Sequence, residues 1–155
     1  RVLAESGLAP SALMLELTEG VLLRREGRIL ADLNELKAIG VQLAIDDFGT
    51  GYSSLSYLRE LPFDVLKIDK SFIDGIATSE QRRALVEGII TIAGTLHLSV
   101  IAEGIEAELQ RDLLVSMGCR YGQGYLLAMP IEADHAEALL RIGHTLVPEL
   151  PGISA

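Results

Sequence analysis

Two adjacent carboxylates, Asp46 and Asp47, close a short apolar run, Val41-Gln42-Leu43-Ala44-Ile45, with no basic residue beside them. Hard carboxylate oxygens gathered without a neighbouring counter-charge suit a divalent cation, which could in turn activate water. The same pair at a strand–helix junction also suits a helix cap or a solvated loop, and the pair alone leaves both uses open. Inside a strand the two would point to opposite faces. They serve one site only if the strand stops between them, and Gly49 and Gly51 make a sharp turn there feasible. Other polar groups recur at the ends of apolar runs. Glu16 and Glu19 lie in Leu13-Met14-Leu15-Glu16-Leu17-Thr18-Glu19, and Lys67 and Asp69 in Val65-Leu66-Lys67-Ile68-Asp69. Glu103 closes Leu98-Ser99-Val100-Ile101-Ala102, while Gln123 and Tyr125 lie in Tyr121-Gly122-Gln123-Gly124-Tyr125-Leu126-Leu127.

These five runs read as strands, and a helical pattern follows each. Residues 1–7 read as the end of a helix closed by Gly7, with Pro10 beyond. Ile29, Leu33, Leu36 and Ile39 keep spacings of three and four before Gly40 stops them. Ser53 or Ser54 caps a short helix through Leu55, Tyr57 and Leu58. Thr78 and Gln81 stand at capping-box spacing ahead of Leu85, Ile89, Ile92 and Leu96. Leu109, Leu113 and Met117 mark a helix ended at Gly118, and the last helix spans 133–142, its acids at Glu132 to Glu137 forming a solvated face. Residues 1–145 are expected to form the domain and 146–155 a loose tail.

Composition bounds what such a chain does. At 155 residues it suits one domain, and with 49% hydrophobic residues it has material for a substantial core. A net charge of −9 argues against binding DNA or an anionic membrane through charge alone, so a phosphate ligand would need metal ions to attract it. No apolar run is long enough to span a bilayer. A single cysteine, Cys119, cannot make an internal disulfide and suits a reducing cytoplasm. His97, His135 and His144 lack ligand spacing to one another. Gly122 and Gly124 form only half of a dinucleotide fingerprint.

Strand–helix alternation implies parallel strands with right-handed crossovers, hence an open doubly wound sheet or part of a closed (β/α)₈ barrel. An open sheet concentrates function at one switch point, whereas a barrel rings its mouth with polar strand ends. Here all five runs end in an acid or amide, so an α/β barrel is favoured. A complete barrel needs eight strands and about 250 residues, so the chain is expected to be a partial one.

With those motifs assembled, the chain resembles the EAL-domain family, bacterial phosphodiesterases that open cyclic di-GMP to linear pGpG. The resemblance rests on Leu15-Glu16-Leu17-Thr18-Glu19, Asp46-Asp47-Phe48-Gly49-Thr50-Gly51-Tyr52-Ser53-Ser54-Leu55, Lys67-Ile68-Asp69-Lys70-Ser71-Phe72-Ile73, Ala102-Glu103-Gly104-Ile105-Glu106 and Gln123-Gly124-Tyr125. It implies a (β/α)₈ TIM-type barrel of the EAL kind, here without its N-terminal strands. The Glu-Ala-Leu motif and a strand bearing a metal-binding Asn would precede Arg1. Met129 stands where many members have Lys or Arg before the proline.

The resemblance also implies roles. Two ions, Mg²⁺ or Mn²⁺, would be held by Glu16, Asp46, Asp47 and Glu103, with Asp46 bridging. Two such ions about 3.5–4 Å apart activate water and stabilise both reacting oxygens. Glu103 would orient or deprotonate the water, and Lys67 would steady the phosphate or nucleophile. Gln123 and Tyr125 would serve the substrate. Glu19, Phe48, Gly49, Thr50, Gly51 and Glu106 would control the loop that couples dimer contacts to the metals. Implied partners are cyclic di-GMP, a second copy of the protein, and N-terminal sensory or GGDEF-type domains. The implied location is the cytoplasm, any membrane anchor lying in other domains. By itself the chain is expected to be inactive, with an exposed strand edge over 13–19 that favours self-association.

Alternatives remain at this stage. The domain could be a degenerate receptor that binds the dinucleotide or a protein without hydrolysis, or an unrelated metal-dependent barrel enzyme. Lys67 could pair structurally with Asp69, Glu19 and Glu106 could merely cap helices, and Tyr125 could only pack.

Overall fold

A computed structural model of the chain describes residues 1–18, 20–21, 29–49 and 55–141. Glu19, Thr50, Gly51, the cap expected at Ser53 or Ser54, and the tail over 146–155 lie outside the described residues. Two compact units emerge, Arg1–Asp69 with Ile92–Ser99 and Lys70–Thr91 with Val100–Ala155. Among the described residues no helix is long and apolar enough to cross a membrane.

In the first unit, helix α1 (Val2–Ser6) ends at Gly7, whose φ of 70° lets its N–H reach the Leu3 carbonyl. Strand β1 (Met14–Thr18), helix α2 (Ile29–Ala38), strand β2 (Gln42–Phe48), helix α3 (Leu55–Glu60) and strand β3 (Val65–Ile68) follow. The strands are parallel and in chain order, pairing Glu16 with Ala44, Thr18 with Asp46, Ala44 with Val65 and Ile45 with Leu66. That register puts Leu43, Ile45, Leu66 and Ile68 on one face, each at most 1% exposed. Ala44 and Val65 on the other face are buried too, as parallel strands covered on both sides require. Helix α2 stops before Ile39, expected as its last apolar contact; Ile39 falls in the turn to Gly40 and is exposed.

The second unit contains helix α4 (Lys70–Ile73), the start of helix α5 (Glu80–Thr95), strand β4 (Ser99–Ala102) from Val100 on, helix α6 (Glu108–Ser116), strand β5 (Tyr121–Gly122) and helix α7 (Ala133–Arg141). Its core is Ile73, Ile76, Val86, Ala102, Ile105 and Leu114. Three sequence expectations are corrected here. Ser79, not Thr78, caps α5, its hydroxyl accepting the Arg82 N–H; the Thr78 hydroxyl turns back to the Gly75 carbonyl. The buried stripe of α5 is Val86, Ile89 and Ala93, one residue out of phase with the expected Leu85 and Ile92, which are exposed. Likewise α6 buries Leu114 and leaves Leu109 exposed, because an apolar residue beside a stripe satisfies the same spacing rule.

The expected strand over 121–127 shrinks to Tyr121–Gly122, which pairs with Ile101 and Ala102. Beyond it the backbone wraps around Ile105. The Ile105 N–H donates to the Gln123 carbonyl, and the Leu126 N–H donates to the Ile105 carbonyl. Leu127 and Ala128 then both donate to the Gly124 carbonyl, closing a turn where a strand would have run straight on. Gly124 is required there: a Cβ would collide with the backbone of Ile105, which cannot swing aside. Gly88, on α5, has open space where its Cβ would stand.

This contrast makes a paired prediction. Gly124→Ala should destabilise by about 2 kcal/mol or more, lowering Tm by about 4–8 °C. Gly88→Ala should stabilise by about 0.5–1 kcal/mol through helix propensity. Differential scanning calorimetry of the two variants checks both signs.

Candidate functional site

The site of the first unit is built from three consecutive strands. Lys67 of β3 is 4% exposed. Its Nζ lies 2.7 Å from Glu16 Oε2 on β1 and 2.9 Å from Asp46 Oδ1 on β2. Register explains the meeting. Glu16, Ala44, Asp46, Val65 and Lys67 all fall on one face of the paired strands.

Asp47 needed a device to join them, and the device differs from the expected strand end. Strand β2 continues to Phe48 but bulges. Ile45 pairs with Leu66 and Phe48 with Ile68, so Asp46 and Asp47 together stand opposite Lys67. Asp47 absorbs the extra residue at φ 54°, a conformation that Asp and Asn tolerate better than other side-chain-bearing residues. Gly49 follows at φ 96°, and Phe48 between them is buried. The bulge, rather than a break, brings the acids together.

Electrostatics in this cluster are unbalanced. Burial holds the Asp47 carboxyl above its ordinary range, and the charges of Asp46, Asp69 and Glu16 push the same way, partly offset by Lys67. Asp46 Oδ1 is buried and, beyond its ion pair with Lys67, has no aligned hydrogen-bond donor among the described residues. Hard carboxylate oxygens and a raised neighbouring carboxyl are the donor set a divalent cation fits.

The second unit carries the other polar groups. Glu103 follows β4, and Gln123 Nε2 donates to its Oε1 at 2.5 Å. Glu106 pairs with Lys70, which also lies 3.7 Å from Asp74. The hydrogen bond to Glu106 raises the Lys70 pKa, so Lys70 stays protonated through any ordinary assay range. Lys70, Glu103, Glu106 and Gln123, with Gly104, Gly124, Tyr125, Ala128, Met129 and Pro130, line a cleft of about 610 Å³. Tyr125 is 61% exposed at its rim, available to a ligand rather than packed in a core. Sequence reasoning missed Lys70 as a member of this group. Its only signal was a lysine directly after Asp69, and nothing in the spacing pointed to Glu106.

Cys119 is buried, and burial pushes its thiol up to about 11, so it is not a thiolate nucleophile. His97 and His135 are exposed.

Parallel β/α units with acids and a buried lysine at the carboxyl ends of their strands define an α/β-barrel type of protein whose site suits divalent metal and phosphate chemistry. The chain belongs to the EAL domain family, which matches residues 1–130. It is 45% identical over 132 residues to the Pseudomonas aeruginosa bifunctional diguanylate cyclase/cyclic di-GMP phosphodiesterase MucR, covering 85% of this chain and 19% of that protein. The crystal structure of the EAL domain of Mycobacterium smegmatis DcpA superposes with a TM-score of 0.87 at 40% identity, over 93% of this chain and 65% of that one. A manganese and cyclic di-GMP complex of Klebsiella pneumoniae BlrP1 gives a TM-score of 0.76 at 35% identity, over 80% of this chain and 32% of that one. The fold is therefore that of EAL domains, of which these β/α units are a part. The chain spans about a fifth of the length of MucR.

The unbalanced charge yields two predictions for metal-free protein. Ionised Asp47 opposes folding, because its folded pKa is raised; the penalty is present at neutral pH and relieved as pH falls through that raised value. Asp47→Asn, which keeps the positive φ, should raise Tm by about 1–3 °C at pH 7 in chelator, with the gain vanishing on acidification. Lys67→Met should do the opposite. It strands Glu16 and Asp46 without their cation and should cost about 2 kcal/mol, or about 4–8 °C in Tm. Thermal melts across pH check both.

Proposed function

We propose that the protein is a cyclic di-GMP-specific phosphodiesterase that hydrolyses its substrate to linear pGpG. The observation that carries this reading is the buried Lys67 bridging Glu16 and Asp46, with Asp47 delivered to the same place by the bulge. Family membership supports the substrate, since relatives include a named cyclic di-GMP phosphodiesterase and a cyclic di-GMP complex.

In this reading Glu16, Asp46, Asp47 and Glu103 would hold two divalent cations, Mg²⁺ or Mn²⁺. When bound, those ions supply a water acidic enough to ionise near neutral pH and positive charge for the phosphate oxygens. The residues of the chain do the remaining work. Glu103 accepts the proton of the attacking water, and Gln123 fixes the carboxylate that does so. Lys67 holds its charge beside the phosphate; anchored by two carboxylates, it needs no reorganisation as negative charge grows. Tyr125 offers its exposed ring to the substrate. Glu19, Thr50 and Gly51, with Phe48, Gly49 and Glu106, control the loop that links the site to a second copy of the protein. The working protein is a cytoplasmic homodimer whose further domains include sensory or GGDEF-type modules.

The test uses the full-length protein, because the chain covers 65% of the mycobacterial EAL-domain structure. Purified with Mn²⁺, it should convert cyclic di-GMP to pGpG by chromatographic assay, lose activity in excess chelator, and turn over poorly with Ca²⁺. Asp46→Asn should reduce kcat by about 10²-fold or more, the scale of removing charge stabilisation at a reacting centre. Full activity in chelator, or a fully active Asp46→Asn enzyme, would sink the proposal.

A further inference from the structure

The loop that carries Glu103 is tied on two sides. Toward β5, the Ile105 N–H and carbonyl bond to the Gln123 carbonyl and the Leu126 N–H, both at 3.0 Å. Toward α4, Gln110 Oε1 accepts the N–H groups of Glu106 and Ala107 at 2.9 Å, while its Nε2 donates to the Ile73 carbonyl at 3.4 Å. Directly before these ties lies Gly104, at φ 68°. No Cβ fits there, because the aliphatic stem of Lys70 occupies the space. The ammonium at the end of that stem pairs with Glu106. Lys70 itself has a fixed base: Arg82 Nη1 donates to the carbonyls of Ser71 and Asp74 at 2.9 and 2.6 Å, locking the single turn of α4.

We infer that Lys70 is a positioning residue for Glu103: its stem roofs Gly104 and its ammonium holds Glu106, leaving the 103–107 loop one position. The inference rests on the role given to Glu103 above. An exposed ion pair contributes little to stability, and the Lys70 and Glu106 side chains are 43% and 47% exposed. The pair is therefore poorly explained as a fold stabiliser. It is well placed as a geometric one, since a displacement of about 1 Å at a reacting group costs about 10²-fold in rate.

The test compares Lys70→Met, Lys70→Arg and Glu106→Gln in the full-length protein. Lys70→Met should lower kcat by about 10–100-fold and Mn²⁺ affinity by about 10-fold, with KM within about twofold and Tm within about 2 °C. Amide exchange at 103–107 should quicken while the β1–β3 amides stay protected. Glu106→Gln should reproduce the direction, and Lys70→Arg, which keeps cation and stem, should recover most of the loss. A rise in KM at unchanged kcat would mean that Lys70 touches substrate instead. Unchanged kcat and exchange would reduce the pair to a solvated surface contact, and a large fall in Tm would make it a fold element. Each of these overturns the inference. If the wild-type protein neither cleaves cyclic di-GMP nor binds Mn²⁺, the proposed function fails. Exchange at 103–107 then still decides the clamp: quickened in Lys70→Met it stands, unchanged it falls.

Discussion

The first unit is organised around one buried cation. Lys67 lies on β3, the third of three parallel strands, and carboxylates from β1 and β2 converge on its ammonium. Without it, the face shared by β1, β2 and β3 would gather the carboxylates of Glu16, Asp46 and Asp47 without this ammonium to oppose them. With it, carboxylates still outnumber the ammonium in the cluster, and the Asp47 carboxyl is held above its ordinary range. The balance is one suited to function: stable enough to fold, and incomplete enough to attract a cation. Proteins tolerate such local disagreement chiefly at sites that use it.

The second unit solves a different problem, holding a loop still. Gly104 and Gly124 permit contacts that any side chain would block, one under the Lys70 stem and one against the Ile105 backbone. Ile105 is fully buried between the two. It gives both its backbone groups to the segment after β5. The segment is ordered by backbone contacts and hydrogen bonds rather than by regular structure, since β5 has only two residues.

How much of this could be read in the chain varied with the physics. Parallel strands, helix stops at Gly7 and Gly40, and the acids at strand ends were legible, because glycine conformations and apolar runs leave strong local marks. The pairing of Lys67 with Glu16 was not, for it depends on register across strands fifty-one positions apart. The bulge at Asp47 was misread as a strand end because both put a kink beside Gly49; only the pairing of Phe48 with Ile68 distinguishes them. Helix phase failed at Leu85 and Ile92 for the reason that α5 has apolar residues on more than one side, so periodicity fixed the element and not its buried stripe. Lys70 was invisible as a clamp, since its partner Glu106 is distant in sequence and both are ordinary surface residue types.

Cys119 has a practical side that follows from its burial. It is the one cysteine in the 155 residues, 1% exposed, and its thiol donates to the Tyr121 carbonyl at 3.3 Å. At a pKa of about 11 almost none of it is thiolate at neutral pH. A cysteine introduced on an exposed position, such as Leu109 or Leu85, would outcompete it for a maleimide by orders of magnitude. These 155 residues thus offer a ready background for attaching a single fluorophore or spin label, without first engineering their native thiol away.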